Sequence, residues 1–559
     1  MLIDKLTAIV ITEEDITKTL ITLEEKITAL AQAKTSTEQT TILEEINACR
    51  NHYLSLYWLS YIGYLKDITS PKYLASEELI SKYDGKYHNA IYKMYDVLDS
   101  LKDKDTLLKL YGKRFFDIAH NQKILLANNQ DLFTEESRLR RQYRSIINAP
   151  RIPFQGENLS LTKLSLHQQD VDPVLRKEAY DKRYATLLEL SPELTNVFQE
   201  LLLVRQKIAQ AANFKNYADY SFIKMNRIDY TKEDLRIFKD AIVKYFVPLR
   251  EKLKQKQAVR LEEKTLSYYN SAILFKDGNA KNPLTLEETL EEFSQILTNI
   301  SPDFAKIFNY MQTNGLIDLA DYENKSAGGI TTFIPDEKCP IFIKRYVNNS
   351  QSFITLSHEF GHSLQLYFNK DKKLHENRWP TFDICEIHST TMELLVDQYV
   401  STIYKTDTNK HLITHYTNLL ELLIRTSFVD DFQTAVYSEE NVNPNDIWKK
   451  LYHQYYPTNN YNIDYFNKGI MWQADINRID DPFYGIDYAL ATIYAFSFLK
   501  NYLTNPKKTI TDFITFCKVG GEIAFKDISK QFNLANPFAE QELKNLADFL
   551  TKKIDEISL

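Results

Sequence analysis

The residues best able to do chemistry sit in TLSHEFGHSLQLY, at 355–367. His358 and His362 are four positions apart, and Glu359 follows the first of them. On a helix this spacing puts both imidazoles on one face, a turn apart, where they can hold one Zn²⁺ through nitrogens at about 2.0–2.1 Å. Glu359 then lies where it can take the proton of a zinc-activated water, the general-base role. With 11 histidines in 559 residues, an HExxH arises by chance in roughly one such chain in a hundred. Its surroundings have to decide.

Ile354 and Leu356 before the motif, and Leu364, Leu366 and Tyr367 after it, allow a helix over 352–368 with no proline to interrupt it. Gly361 inside that helix costs about 1 kcal/mol relative to Ala, and a second helix crossing closely would account for it. That helix should bring a third ligand, since a catalytic zinc keeps three protein ligands and one open position. Gln365 and Phe368 stand where the long form HExxHxxGxxH has Gly and His, so the ligand comes from further on. Downstream, DICEIHSTTMELLVDQYV (383–400) is another helical stretch. Glu386, 28 residues after His358, is the favoured ligand. His388 is the rival: about 200° separates the two around a helix, so only one can face the metal. Glu393 could accept a hydrogen bond from the far nitrogen of a ligand histidine and fix its tautomer.

The elements that must position these groups are mostly helices. Only 13 Gly and 16 Pro punctuate the chain, and the intervals between them carry helical periodicity. Leu235, Phe238, Ile242, Tyr245, Phe246 and Leu249 share one helix face, with Thr231 and Asp234 placed as an N-cap and acidic first turn. Ser191-Pro192-Glu193 reads as another helix start. Two stretches break the pattern. APRIPFQGENLSLTKLSL (149–166) alternates around a glycine as a hairpin does, and GGITTFIPDEKCPIFIKRYV (328–347) holds two β-rich runs around Pro335-Asp336. The expected fold is mainly α, with a small antiparallel sheet beside the HEFGH helix. It divides near residue 190 into an N-terminal helical lobe (1–190) and a catalytic domain (191–559).

Composition limits the alternatives. With 44% hydrophobic and 26% charged residues, the chain is globular and expected to be ordered nearly throughout. A net charge of -7 with Lys and Arg spread along the chain shows no electrostatic footprint for nucleic acid. Cys49, Cys339, Cys385 and Cys517 form no CxxC pair, which argues against a disulfide framework or thiolate zinc site and favours a reducing compartment. No apolar run approaches the roughly 20 residues of a membrane span, nor does the N-terminus look like a secretion signal. The expectation is a cytoplasmic protein with no membrane or nucleic-acid partner, a monomer or weak homo-oligomer.

HEFGH followed by the Glu of EIHSTTME resembles the zinc site of the thimet oligopeptidase and oligoendopeptidase F family, whose pattern is HExGH, then ExxS with a further Glu. RQKIAQAANFKNYADYSFIKMNRIDYTKEDLRIFKDAIVKYFVPL (205–249), DVDPVLRKEAY (170–180), GGITTF and MWQADINRIDDPFYGIDYALATIYA (471–495) are similar to further family segments. The resemblance implies a two-lobed helical clamshell around a deep channel with one catalytic Zn²⁺ at its floor, cleaving short peptides internally. It implies that Gly328 and Gly329 let a substrate backbone approach a sheet edge. It also implies that Tyr484 and Tyr488 aid catalysis by donating to the developing oxyanion, with Tyr488 the stronger candidate. Asn477 stands where the oligoendopeptidase F pattern has His. Asn can donate a hydrogen bond but cannot carry a proton. That departure keeps a weakly catalytic, peptide-binding protein as an alternative, and a zinc carboxypeptidase on a similar scaffold is another.

Overall fold

The computed structural model describes residues 1–102, 104–125, 130–326, 328–439, 442–459 and 461–557. Three long helices open the chain: α1 (Glu13–Gln32), α2 (Ser36–Lys66) and α3 (Pro71–Ser100). Each start is written locally. Thr12 caps α1, Thr35 and Glu38 form a capping box on α2, and Pro71 sits at the first position of α3, where its missing N–H costs nothing. Leu23 and Ile27, Leu43 and Ile46, and Ile80 and Met94 bring the three together in a first apolar core. The far end of α2 leaves that core, and Leu59, Ile62 and Leu65 join the second, larger one.

Residues 374–378, far along the chain, return to the first core. Leu374 packs into it, and beside it Arg50 pairs with Glu376 at 2.6 Å, both side chains buried, while Tyr95 donates its hydroxyl to the same carboxylate. Burial works against the Glu376 charge, but the Arg50 guanidinium outweighs it and holds the carboxyl down at about 2. A buried pair is costly to break from one side, so this contact is a firm tie between the N-terminal helices and the segment carrying Glu376.

Strands β1 (Ile152–Phe154) and β2 (Glu157–Leu159) form the expected hairpin, turning at Gln155 and Gly156 with φ of 50° and 83°. It is shorter than the alternation suggested, because Ser160 caps a helix over Leu161–Leu166. Next comes α4 (Pro173–Ala211), capped by Asp172 with Pro173 in its first turn. Ser191-Pro192 is therefore not a helix start: Pro192 lies inside α4, and residue 190 falls mid-helix. An interior proline costs about 3 kcal/mol. Here Leu187, Leu194, Val197, Phe198 and Leu201 continue one buried stripe through it. The Thr231/Asp234 capping box forms as expected.

The second sheet has the order β3-β5-β4, from β3 (Ile317–Asp318), β4 (Gly329–Ile334) and β5 (Cys339–Lys344). β4 and β5 pair antiparallel with Thr331 opposite Phe342, so β4 is an edge strand, next to the following helix α5 (Ser350–Phe368). Helix α6 (Phe382–Val396) packs on α5, and of the later helices α7 (Thr408–Ser438) and α8 (Gly485–Thr504), α8 packs on both α6 and α7. The architecture is mainly α, as the periodicity implied. No helix among the described residues is long and apolar enough to cross a membrane. All four cysteines are free.

Candidate active site

Asn349 caps α5 by accepting from the Ser352 N–H, and Phe353, Leu356, Phe360 and Leu364 bury one face of the helix. His358 and His362 come out half-buried on the opposite side, ring centroids 4.9 Å apart. α6 crosses α5 at Gly361. A Cβ there would lie 2.6 Å from both the His388 carbonyl oxygen and the Ser389 Cα. The glycine therefore sets the helix separation at the site. Gly361→Ala is expected to cost about 1–3 kcal/mol through overpacking against backbone that cannot step aside, read as a lower melting temperature.

The close crossing brings Glu386 to the histidines. Its Oε2 lies 3.3 Å from His358 Nε2 and 3.5 Å from His362 Nε2, and the three donor atoms all fall within 4.8 Å of one another. Donors about 3.3 Å apart match the edges of a tetrahedron with bonds near 2.0–2.1 Å, the geometry of a zinc held by His, His and carboxylate. The residues present fit one such ion. His388 faces the other way: it is fully buried, stacked on Phe516 at 4.4 Å, and burial pushes its pKa down to about 3.

Glu386 is itself held on both oxygens. Ser389, one turn on, can donate to Oε2 at 3.0 Å, and Tyr484 donates to Oε1 at 3.2 Å. Burial disfavours its charge, yet His362 and His358 outweigh this and hold the carboxyl well below its usual range. Glu393 accepts from Nδ1 of His358, which leaves Nε2 to face the Glu386 oxygen. Glu359 lines the cavity between the histidines, and its carboxylate makes no hydrogen bond among the described residues. Its backbone is fixed instead, the carbonyl accepting from Thr331 of β4 at 3.1 Å.

Tyr484 and Tyr488 project from the start of α8, hydroxyls 3.1 Å apart. Burial and the Glu386 charge push both phenols well above their ordinary pKa, so both stay protonated donors. The turn that aims them is strained: Phe483 has φ of 72°, a region a bulky residue rarely adopts. Buried partners impose it. Gln433 accepts from the Phe483 N–H at 2.8 Å, and Arg227, paired with Asp487 at 3.1 Å, donates to the Phe483 carbonyl.

His358, Glu359, His362, Glu386, Tyr484 and Tyr488 line one cavity of about 610 Å³. Gly329, Ile330 and Thr331 of β4 form one side, and Tyr53, Tyr57, Trp58, Asp84 and His88 of α2 and α3 face the histidines from the lobe. Gly328 and Gly329 are both exposed; a Cβ at Gly329 would meet Lys344 Cβ at 2.7 Å, whereas one at Gly328 would have only Ser326 Oγ near it, at 3.5 Å. Asn477 is exposed on the short helix Ile476–Asp480 and is not among the lining residues. Sequence reasoning did not reach Ser389 as a partner of Glu386, although the i,i+3 spacing was a signal. Nor did it reach Arg227, Phe483, His411, His415 or Asp397. The repeat of the His-x₃-His spacing in HLITH (411–415) was the one available hint for the two histidines.

A model of peptidase family M3 matches residues 166–548, and a model of the peptidase M3 N-terminal domain matches residues 8–125. An oligoendopeptidase F homolog of Borreliella burgdorferi is 23% identical over 459 residues, spanning 75% of this chain and 72% of that protein. A crystal structure described as an oligoendopeptidase F superposes with a TM-score of 0.91 at 27% identity, covering 97% of this chain and 96% of the other. PZ peptidase A with a bound inhibitor superposes with a TM-score of 0.90 at 27% identity, covering 97% of each chain.

Proposed function

The chain belongs to peptidase family M3, a metallo-oligopeptidase, and from that premise we propose that it is a zinc-dependent endopeptidase hydrolysing internal bonds of short peptides. The observation that carries the reading is the convergence of His358, His362 and Glu386 from two crossing helices beside the Glu359 carboxylate, which has no hydrogen-bond partner among the described residues. Zinc, when bound there, would act as a Lewis acid on water and on the scissile carbonyl.

The chain's own residues do the rest. β4 offers its free edge, so an extended peptide can add to it as a strand with Gly329 allowing close approach. Glu359, with no competing hydrogen bond, accepts the proton of the attacking water and can pass it to the leaving amine. Tyr488 donates to the oxygen on which negative charge develops. Tyr484 instead holds the ligand Glu386 in place. The lobe wall of α2 and α3 faces the site across a cavity of about 610 Å³, room for a few residues of an extended chain and not for a folded domain.

The division of labour between the tyrosines is open to measurement. Tyr488→Phe is expected to lower kcat about 10²-fold with KM nearly unchanged, as loss of a single oxyanion donor does. Tyr484→Phe is expected to weaken zinc retention more than it slows the zinc-loaded enzyme. Equal losses of kcat in both variants, with zinc affinity intact, would refute the assignment.

The function itself is tested by incubating the protein with a defined peptide mixture and identifying products by mass spectrometry. Internal cleavage is the expected result. One-residue trimming from the C-terminus would replace the reading with a carboxypeptidase. Zinc binding without hydrolysis would replace it with a peptide-binding protein.

A further inference from the structure

Behind the zinc-ligand helix lies a second buried cluster, formed by Asp397, His411 and His415, whose donor atoms also approach within 4.8 Å of one another. By spacing alone it could hold a metal. Its hydrogen bonds point elsewhere. His415 directs Nδ1 at Asp397 Oδ2 and Nε2 at Glu393 Oε2, both at 2.7 Å. A carboxylate only accepts, so both ring nitrogens must carry protons, and neither has a lone pair for a metal. His415 is thus an imidazolium between two carboxylates, only 2% exposed.

The chain of contacts continues outward. His411 Nε2 faces Asp397 Oδ1 at 3.1 Å, and its Nδ1 faces the Ser350 hydroxyl at 2.7 Å. A neutral His411, donating from Nε2 and accepting at Nδ1, satisfies both. The electrostatics agree: burial would lower both histidines, but Asp397 and Glu393 lift His415 to about 10, while His411 stays depressed. Ser350 is the first residue of α5, the helix that also carries His358. The series His358, Glu393, His415, Asp397, His411, Ser350 therefore leaves α5, passes through α6 and its extension and through α7, and returns to α5 one end removed. Two carboxylates and one imidazolium leave it a net charge of one negative.

The geometry points to His415 and Asp397 as positioning residues for the zinc ligand: they hold Glu393 in the orientation in which His358 presents Nε2 to the metal. Neither touches the triad, so both act through Glu393. Without the His415 ring, Glu393 would lose the partner of one oxygen and its hold on His358 Nδ1 would weaken. Outer partners of metal-bound histidines typically govern 10- to 100-fold in affinity. This rests on the triad reading above.

The test is zinc affinity of the full chain by chelator competition, with the visible spectrum of the Co²⁺-substituted protein and the melting temperature of the metal-free form as companions. His415→Gln and the isosteric Asp397→Asn are each expected to bind zinc 10- to 100-fold more weakly and to show an altered Co²⁺ spectrum. A folded variant with wild-type affinity and spectrum overturns the inference. So does a stoichiometry of two zinc ions per chain with the second lost in His415→Gln. Should neither variant fold, a neutron map of the wild-type protein decides: deuterium on both His415 nitrogens is expected, and its absence from either overturns the inference. A wild-type chain that binds no zinc would instead defeat the triad reading itself.

Discussion

Glu359→Gln is expected to lower peptide hydrolysis by about 10²–10⁴-fold, the range that general-base catalysis supplies, while zinc content stays at one ion per chain. The substitution keeps the shape of the side chain and removes only its ability to take a proton. Nothing in the fold should respond. The Glu359 carboxylate has no hydrogen-bond partner among the described residues, whereas its backbone is held by Thr331 and by Ser363, which donates to its carbonyl at 2.9 Å. The melting temperature should therefore match the parent, and the metal ligands on either side should keep their positions. A short peptide ought still to bind, with KM close to wild type, because the cavity wall and the β4 edge are untouched. Turnover near wild-type rates in this variant would remove Glu359 from the mechanism.

The second large effect is that of the metal. Chelation, or Glu386→Ala, should abolish hydrolysis, and only the chelated wild type should recover when zinc is restored. Glu386 is the one ligand from outside α5 and is 3% exposed. Its loss should weaken zinc by more than the roughly 10- to 100-fold that outer partners control. The metal-free protein is expected to stay folded. Glu386 lies within 3.5 Å of both ligand histidines, and a protonated His358 can pair with it. The comparison that matters is zinc per chain against activity: loss of activity at full zinc occupancy in Glu386→Ala would mean that the third ligand lies elsewhere.

Much of this centre was legible because it is local. HEFGH is an i,i+4 pair on one helix, and 3.6 residues per turn decides by itself that the two imidazoles share a face. The same regularity explains why Glu386 and His388 could not both serve, and the cost of glycine in a helix pointed to a close crossing at Gly361 before any partner was known. Thr231 with Asp234 marked a helix start for the same reason. Ser191-Pro192 shows the limit of such signals: a sound local start was overruled by a buried stripe running through it.

The sequence by itself thus determined a helical protein carrying two histidines at metal-ligand spacing with a glutamate beside the first, since both follow from spacing along one chain segment. Only the tertiary structure decided what surrounds that motif. Phe483 adopts a left-handed backbone because Arg227 and Gln433, more than 250 and about 50 residues away in sequence, hold it there. Asn477 lies at the surface, outside the cavity lining. His415, 2% exposed, is charged because Glu393 and Asp397 meet it from α6 and its extension. Such contacts depend on which helix faces come to oppose one another, and burial then sets their strength; neither is written in the spacing of a single segment.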